Sequence, residues 1–146
     1  MKQQKQILGW REWVALPELG VDALKCKVDT GAKTSALHAF YVEPFEARGK
    51  RMVRFGLHPH QDDTETAIEC VAEVYDVRTV SDSGGHKEER YVIKTPLRIG
   101  SETFEAELTL TNRDAMQFRM LLGRRAMENR FIVDPDASFL MGESHQ

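Results

Sequence analysis

Cysteine is nearly absent from this 146-residue chain, which carries only Cys26 and Cys70, each inside a strand-like run. So few thiols exclude a scaffold of several disulfides and favour buried, reduced side chains of the cytosolic kind. No sign of charge predominates either. Twenty Lys and Arg are interspersed with 23 Asp and Glu for a formal charge of −3, which leaves no electrostatic footprint for nucleic acid or an anionic membrane. No apolar run approaches a membrane span, and Ile7-Leu8 give way at Gly9-Trp10-Arg11 too early for a signal peptide. The expected location is the cytoplasm. There is no internal repeat and little helical periodicity, and the length suits one domain, 1–146, with a real core. Residues 1–6 and 142–146 are expected to be flexible.

What is present is alternation. From residue 8 to about residue 110 the chain alternates apolar and polar residues, punctuated by Pro17, Gly20, Pro44, Gly49, Pro59, Gly84, Gly85 and Gly100, which is the pattern of an all-β domain. Strands are predicted over 10–16, 22–29, 35–46, 51–57, 67–80, 88–99 and 102–111. In the last, Phe104, Ala106, Leu108 and Leu110 share the core face. Ser81-Asp82-Ser83-Gly84-Gly85-His86 is rich in residues that accept left-handed turns and reads as a hairpin tip; Pro59 to Thr64 reads as a polar loop. Trp10 and Trp13 fall on different strand faces, so one is expected in the core and the other at an interface.

One segment carries chemistry. In Ala23-Leu24-Lys25-Cys26-Lys27-Val28, Leu24, Cys26 and Val28 face one way, while Lys25, Lys27 and the following Asp29 face the other. Thr30-Gly31-Ala32 then turns the chain directly after that carboxylate, with Gly31 expected to supply backbone freedom. Some ninety residues later the apolar run Met120-Leu121-Leu122 closes on Gly123-Arg124. This pairing resembles the retropepsins, in which a strand ending in Asp-Thr-Gly-Ala is crossed by a later apolar-apolar-Gly segment followed by Arg and a short helix. Arg124 to Asn129 would be that helix. More closely, the chain resembles the bacterial retropepsin-like family that carries the label "ATP-dependent zinc protease" and is often encoded near ATP-grasp glutamate ligases. The resemblance runs from Gly9-Trp10-Arg11-Glu12-Trp13-Val14 through Lys27 to Ala39, Val53-Arg54-Phe55, His58-Pro59 and Asn112-Arg113 to Arg130-Phe131-Ile132-Val133-Asp134-Pro135.

The resemblance implies an acid-protease barrel, closed and all-β, with one short C-terminal helix. It implies an aspartic endopeptidase in which Asp29, Thr30 and Gly31 are catalytic and Ala32, Gly84, Gly85, Gly123 and Arg124 bind substrate. One chain supplies one such aspartate, so the dyad would form across a homodimer, with Thr30 bonding to the partner loop. A glycine-bearing flap is implied between the two motifs, at 81–86 or at 59–64. One position departs from the pattern: retropepsins commonly carry an acidic residue four places after the aspartate, paired to the arginine of the Gly-Arg segment, and this chain has Lys33. Arg124 therefore needs another partner. The implied substrate is an extended peptide or a flexible protein tail, and the implied partner an ATP-grasp glutamate ligase. The competing readings are a catalytically silent peptide-binding module that regulates such a ligase, and a zinc hydrolase. His58-Pro59-His60 with Asp62 and Asp63 would be the metal set for the latter, but no His-Glu-x-x-His occurs, so no metal and no cofactor is expected. His38 is expected to be structural. Gly31-Ala32-Lys33-Thr34 lacks the glycine spacing of a phosphate-binding loop.

Overall fold

The computed structural model describes residues 5–60, 65–81, 84–112 and 118–142; most of the two ends expected to be flexible, 1–4 and 143–146, lies outside them. Alternation becomes a closed barrel of six strands, β2 (Arg11–Leu16), β3 (Val21–Val28), β4 (Ser35–His38), β9 (Lys87–Ile99), β10 (Glu102–Thr111) and β11 (Met120–Leu122). Around the barrel β10 lies parallel to β4, β4 antiparallel to β11, β11 parallel to β3, β3 antiparallel to β2, and β9 closes the ring by pairing antiparallel with both β2 and β10. The inward residues Leu24, Leu37, Ile93, Leu97, Leu108, Met120 and Leu122 are fully buried, each stabilising by about 1.5–3 kcal/mol relative to exposure. A 3-10 turn at Pro17–Leu19 joins β2 to β3, and Gly20 ends it at φ 76°, a left-handed conformation that glycine adopts without strain.

A second, three-stranded antiparallel sheet holds β5 (Tyr41–Ala47), β6 (Lys50–Leu57) and β7 (Ile68–Glu73); its Val53, Phe55 and Leu57 are buried in the same apolar cluster as the barrel. β8 (Asp76–Ser81) forms a hairpin with the first half of β9. Two three-residue strands, β1 (Gln6–Leu8) and β12 (Phe131–Val133), lie parallel to each other. The helix α1 spans Arg124–Met127.

Two predicted strands are each broken in two, for one reason. In 35–46 the break falls at Ala39-Phe40, where the Ala39 N–H donates to Thr111 O of the barrel (2.9 Å) and the Phe40 N–H to Gly56 O of the second sheet (2.9 Å). In 67–80 it falls at Val74-Tyr75, where Val74 donates to Arg51 O in the second sheet (2.9 Å) and Tyr75 to Val92 O in the barrel (2.8 Å). The chain changes sheets at both places with no Gly or Pro at the break. The strand over 102–111 has the expected bounds, with Ala106, Leu108 and Leu110 buried. The tryptophans depart from expectation: neither is fully buried. Trp10 meets Phe118 edge-on and Trp13 stacks on Phe139. Cys26 and Cys70 are free and buried. No helix among the described residues is long and apolar enough to cross a membrane.

Candidate active site

The two segments that lie ninety residues apart in sequence meet in one wedge of the barrel. β11 is inserted between β3 and β4, with Leu122 in register with Val28 on one side and Met120 with Leu37 on the other. The loop that bears Asp29 bridges β3 and β4 over the end of this wedge. Its backbone is pinned to the later segment throughout. Asp29 N–H donates to Leu122 O (2.9 Å), Arg124 N–H to Ala32 O (2.7 Å) and Arg125 N–H to Lys33 O (3.1 Å). On the other side of β3, Val28 N–H donates to Trp10 O (2.8 Å). A carboxylate on a loop held from both sides has a fixed place from which to act.

Within the loop, Asp29 is half-buried, and its Oδ1 accepts the Gly31 N–H at 3.0 Å. The other oxygen accepts no hydrogen bond among the described residues. Gly31 does not take the positive φ that would demand glycine. The constraint is closeness: a Cβ at Gly31 would stand 3.2 Å from Asp29 Oδ1. Gly123 is more crowded still, since a Cβ there would meet the carbonyl carbon and oxygen of Thr34 at 2.5 Å. Its N–H donates to the buried Ser35 hydroxyl at 2.9 Å.

Arg124 finds its partner inside the loop. With Lys33 in place of an acid, the guanidinium donates to Thr30 O at 3.1 Å, so a backbone carbonyl takes the role of the absent carboxylate. Thr30 itself is exposed, and its hydroxyl makes no hydrogen bond among the described residues. Thr30 and Arg124 form one wall of an open groove of about 440 Å³, whose apolar floor is Met127, Phe131 and Val133. The loop also has cationic surroundings: Lys27 of β3, Lys33 of the loop itself, and Arg124 and Arg125 of α1 are all exposed, and none takes part in an ion pair among the described residues.

Thus Asp29, Thr30, Gly31, Ala32, Gly123 and Arg124 come together. Gly84 and Gly85 sit on a separate element, the exposed tip of the β8–β9 hairpin, whose Asp82 and Ser83 lie outside the described residues. In the alternative loop, residues 61–64 lie outside them as well, and with them Asp62 and Asp63 of the metal set considered above. His58 stacks on Phe40, with ring centroids 4.1 Å apart, and its Nδ1 is 3.3 Å from Thr66 O. His38 is buried in β4, and its N–H donates to Arg119 O at 2.8 Å.

Sequence reasoning missed one buried acid. Glu12 is fully buried, and its carboxylate accepts N–H groups from Gly9 (2.7 Å), Leu140 (2.9 Å) and Met141 (3.1 Å). It ties the turn before β2 to the C-terminal segment. The available signal was its position: an acid on the inward face of an alternating strand needs partners. Burial, followed by the nearby Glu12 charge, pushes the adjacent Cys26 thiol up to about 12.

Residues 7–144 match the model of the RimB-like family, described as the retropepsin-like aspartic endopeptidase RimB. A Shewanella pealeana protein named "Probable alpha-L-glutamate ligase" is 48% identical over 143 residues, covering 98% of this chain and 31% of the relative. A Desulfotalea psychrophila protein of the same name is 47% identical over 139 residues, 95% of this chain and 30% of the relative. The chain thus spans about a third of the curated relatives it matches. The crystal structure of Lpg0085 from Legionella pneumophila, titled a protein of unknown function (DUF785), superposes with a TM-score of 0.77 at 27% identity, over 94% of this chain and 99% of that one. With the wedge, the loop and the matched length in agreement, the chain belongs to the RimB-like family of retropepsin-like aspartic endopeptidases.

Proposed function

We propose that this chain is an aspartic endopeptidase that works as a homodimer and cleaves extended peptides or flexible protein tails. The observation that carries the proposal is the pinned loop, which offers a half-buried Asp29 and an exposed Thr30 whose hydroxyl makes no hydrogen bond among the described residues. A two-fold axis beside that loop places Asp29 against its own copy and lets each Thr30 bond across the axis. Two carboxylates that close share a proton, so the pair titrates as a unit. The ionised member takes a proton from water as the water oxygen attacks the peptide carbonyl, and the protonated member gives its proton to the carbonyl oxygen. The resulting gem-diol then collapses: the C–N bond breaks as one aspartate gives its proton to the nitrogen and the other takes a proton from a diol hydroxyl, so that a carboxylic acid and an amine leave and the dyad again holds one proton.

The β8–β9 hairpin is our assignment for the flap, since its arms extend beyond the pairing of β9 with β10. The names of the longer relatives favour an association with a glutamate ligase, and the tail that such a ligase extends is a fitting substrate. The same names support a second reading, a silent module that binds the tail and regulates the ligase. Loss of peptide cleavage in Asp29→Asn, with cleavage by the wild type indifferent to chelators, supports the peptidase. A wild type that is monomeric by sedimentation and inert toward every flexible peptide tested would refute it.

A further inference from the structure

The β8–β9 hairpin meets the barrel at a single level, that of Val92. This residue stands in register with Thr109 of β10 on one side and with Asp76 of β8 on the other; β9 pairs with β10 only from there onward and with β8 only up to it. Beyond Val92, β8 and residues 87–91 form a two-stranded ribbon, which holds its place weakly by itself. β8 is also the outermost strand of its sheet, so backbone pairing fixes it from one side only.

Charge gathers at that junction. Arg78 and Arg90 stand directly opposite each other on one face of the ribbon, and like charges so placed cost stability unless carboxylates answer them. Three do. Arg78 Nε donates to Asp76 Oδ2 at 2.9 Å, Arg78 Nη2 to Glu107 Oε1 at 2.7 Å, and Arg90 Nε to Glu88 Oε1 at 3.3 Å. The Glu107 contact differs from the other two because it leaves the ribbon: Glu107 lies on β10, with β9 between it and β8. Its direct register partner is Lys94, which pairs instead with Glu105 at 3.6 Å and lies 4.8 Å from the ring centroid of Tyr75, the residue that leads into β8. Glu107 thus passes over the neighbouring ammonium for a guanidinium two strands away. The pair is also shielded. Its side chains are 28% and 30% exposed, against 64% and 59% for the surface pair Lys50–Glu73, so water and salt screen it less. The Glu107 carboxylate, and after it that of Asp76, pushes the Arg78 guanidinium above its usual value.

We propose that Arg78 and Glu107 are positioning residues whose ion pair latches the β8–β9 ribbon to the barrel and so sets how it stands over a bound peptide. With the pair intact the ribbon moves with β10. With the pair broken it swings as a unit about the level of Val92 while the barrel stays folded. Side chains alternate across the ribbon, so Val77 and its register partner Tyr91, and Thr79 with Glu89, lie on the face opposite the latch and keep their reach toward a peptide only in the latched position. The role over a peptide rests on the reading of this hairpin as the flap of a peptidase; the latch itself is a property of the fold.

Site-resolved amide hydrogen exchange on the full chain tests the latch. Glu107→Gln keeps the shape of the side chain and removes its charge. The protected amides of residues 76–81 and 87–91 are then expected to exchange roughly tenfold faster, while those of β3, β4 and β11 keep their rates. Adding Arg78→Gln to that variant should cost less than Arg78→Gln costs alone, because partners in one interaction are not additive. Lys50→Gln, which removes an exposed pair of the second sheet, should leave the ribbon unchanged. Cleavage of fluorescently labelled casein, an unfolded chain, should lose about tenfold in kcat/KM in Glu107→Gln, mostly through KM, at a temperature where both proteins are fully folded. Unchanged ribbon exchange in Glu107→Gln overturns the proposal, as does an equal acceleration in the barrel or in Lys50→Gln. Faster ribbon exchange with an unaltered kcat/KM overturns the positioning role. A wild type that cleaves neither casein nor any other flexible chain sinks the peptidase reading, and the exchange rates alone then decide the latch.

Discussion

Replacing Glu12 by glutamine keeps the size and shape of a fully buried side chain and changes only its charge and one acceptor. The wild-type carboxylate receives three N–H donors, two on Oε2 from Gly9 and Leu140 and one on Oε1 from Met141. An amide has one acceptor oxygen. In its better orientation the introduced amide serves Gly9 and Leu140 and turns its own NH2 toward the Met141 N–H, leaving a buried donor facing a donor. One hydrogen bond to a charged acceptor is lost, at about 1.5–3 kcal/mol, and two are weakened to neutral ones at about 1 kcal/mol each. Easier burial of a neutral amide returns part of this, so a net loss of about 2–4 kcal/mol is expected. In a chain of this size that lowers Tm by roughly 5–15 °C. The local signature is sharper, since amide exchange at Leu140 and Met141 should accelerate well before that of the barrel strands. Urea unfolding and site-resolved hydrogen exchange read both effects. An unchanged midpoint with slow exchange at those two amides would show that the carboxylate does not hold the C-terminal segment.

Gly123→Ala forces a methyl group into the Thr34 carbonyl, so a stability loss of about 1–3 kcal/mol or more and displacement of the Asp29 loop are expected in denaturation curves and in the amide shifts of residues 29–34. Burial holds the Cys26 thiol at about 12 and, with the Glu69 charge second, the Cys70 thiol at about 11, so neither should react with a thiol reagent at about pH 8 until the protein unfolds. Because the folded state keeps these protons while the unfolded thiols release theirs near the ordinary value, stability should fall as pH rises above about 9. A profile that stays flat from about pH 8 to about pH 10.5, or fast native labelling, would contradict the burial.

Much of this architecture is legible in the sequence because period-2 alternation reports burial directly: the strand over 102–111 and the apolar face of β3 follow from pattern alone. Sheet membership does not. At Ala39-Phe40 and Val74-Tyr75 the backbone donors pass from one sheet to the other at apolar residues with no Gly or Pro beside them, so no turn signal marks the breaks. β1 and β12 are three residues each, too short for a period to register. In the candidate site, the motifs pick out Asp29, Gly31 and Gly123 but not the physical reason for the two glycines, because close approach is a property of chain packing and not of the loop sequence. Glu12 was hidden by its polarity, which reads as a surface residue until its three donors are seen. Arg124 shows the reverse: Lys33 announced that its usual partner was missing, and only the fold supplied the Thr30 carbonyl.

The central claim is that each active site requires two copies of Asp29, one from each subunit. It is tested most directly by mixing wild-type and Asp29→Asn protein, allowing subunits to exchange, and measuring peptide cleavage at constant total concentration. If every productive dyad needs two intact aspartates, activity follows the square of the wild-type fraction, and an equal mixture retains about a quarter of the wild-type rate. A linear fall, with about half the rate in an equal mixture, would mean that one Asp29 suffices and would contradict the account.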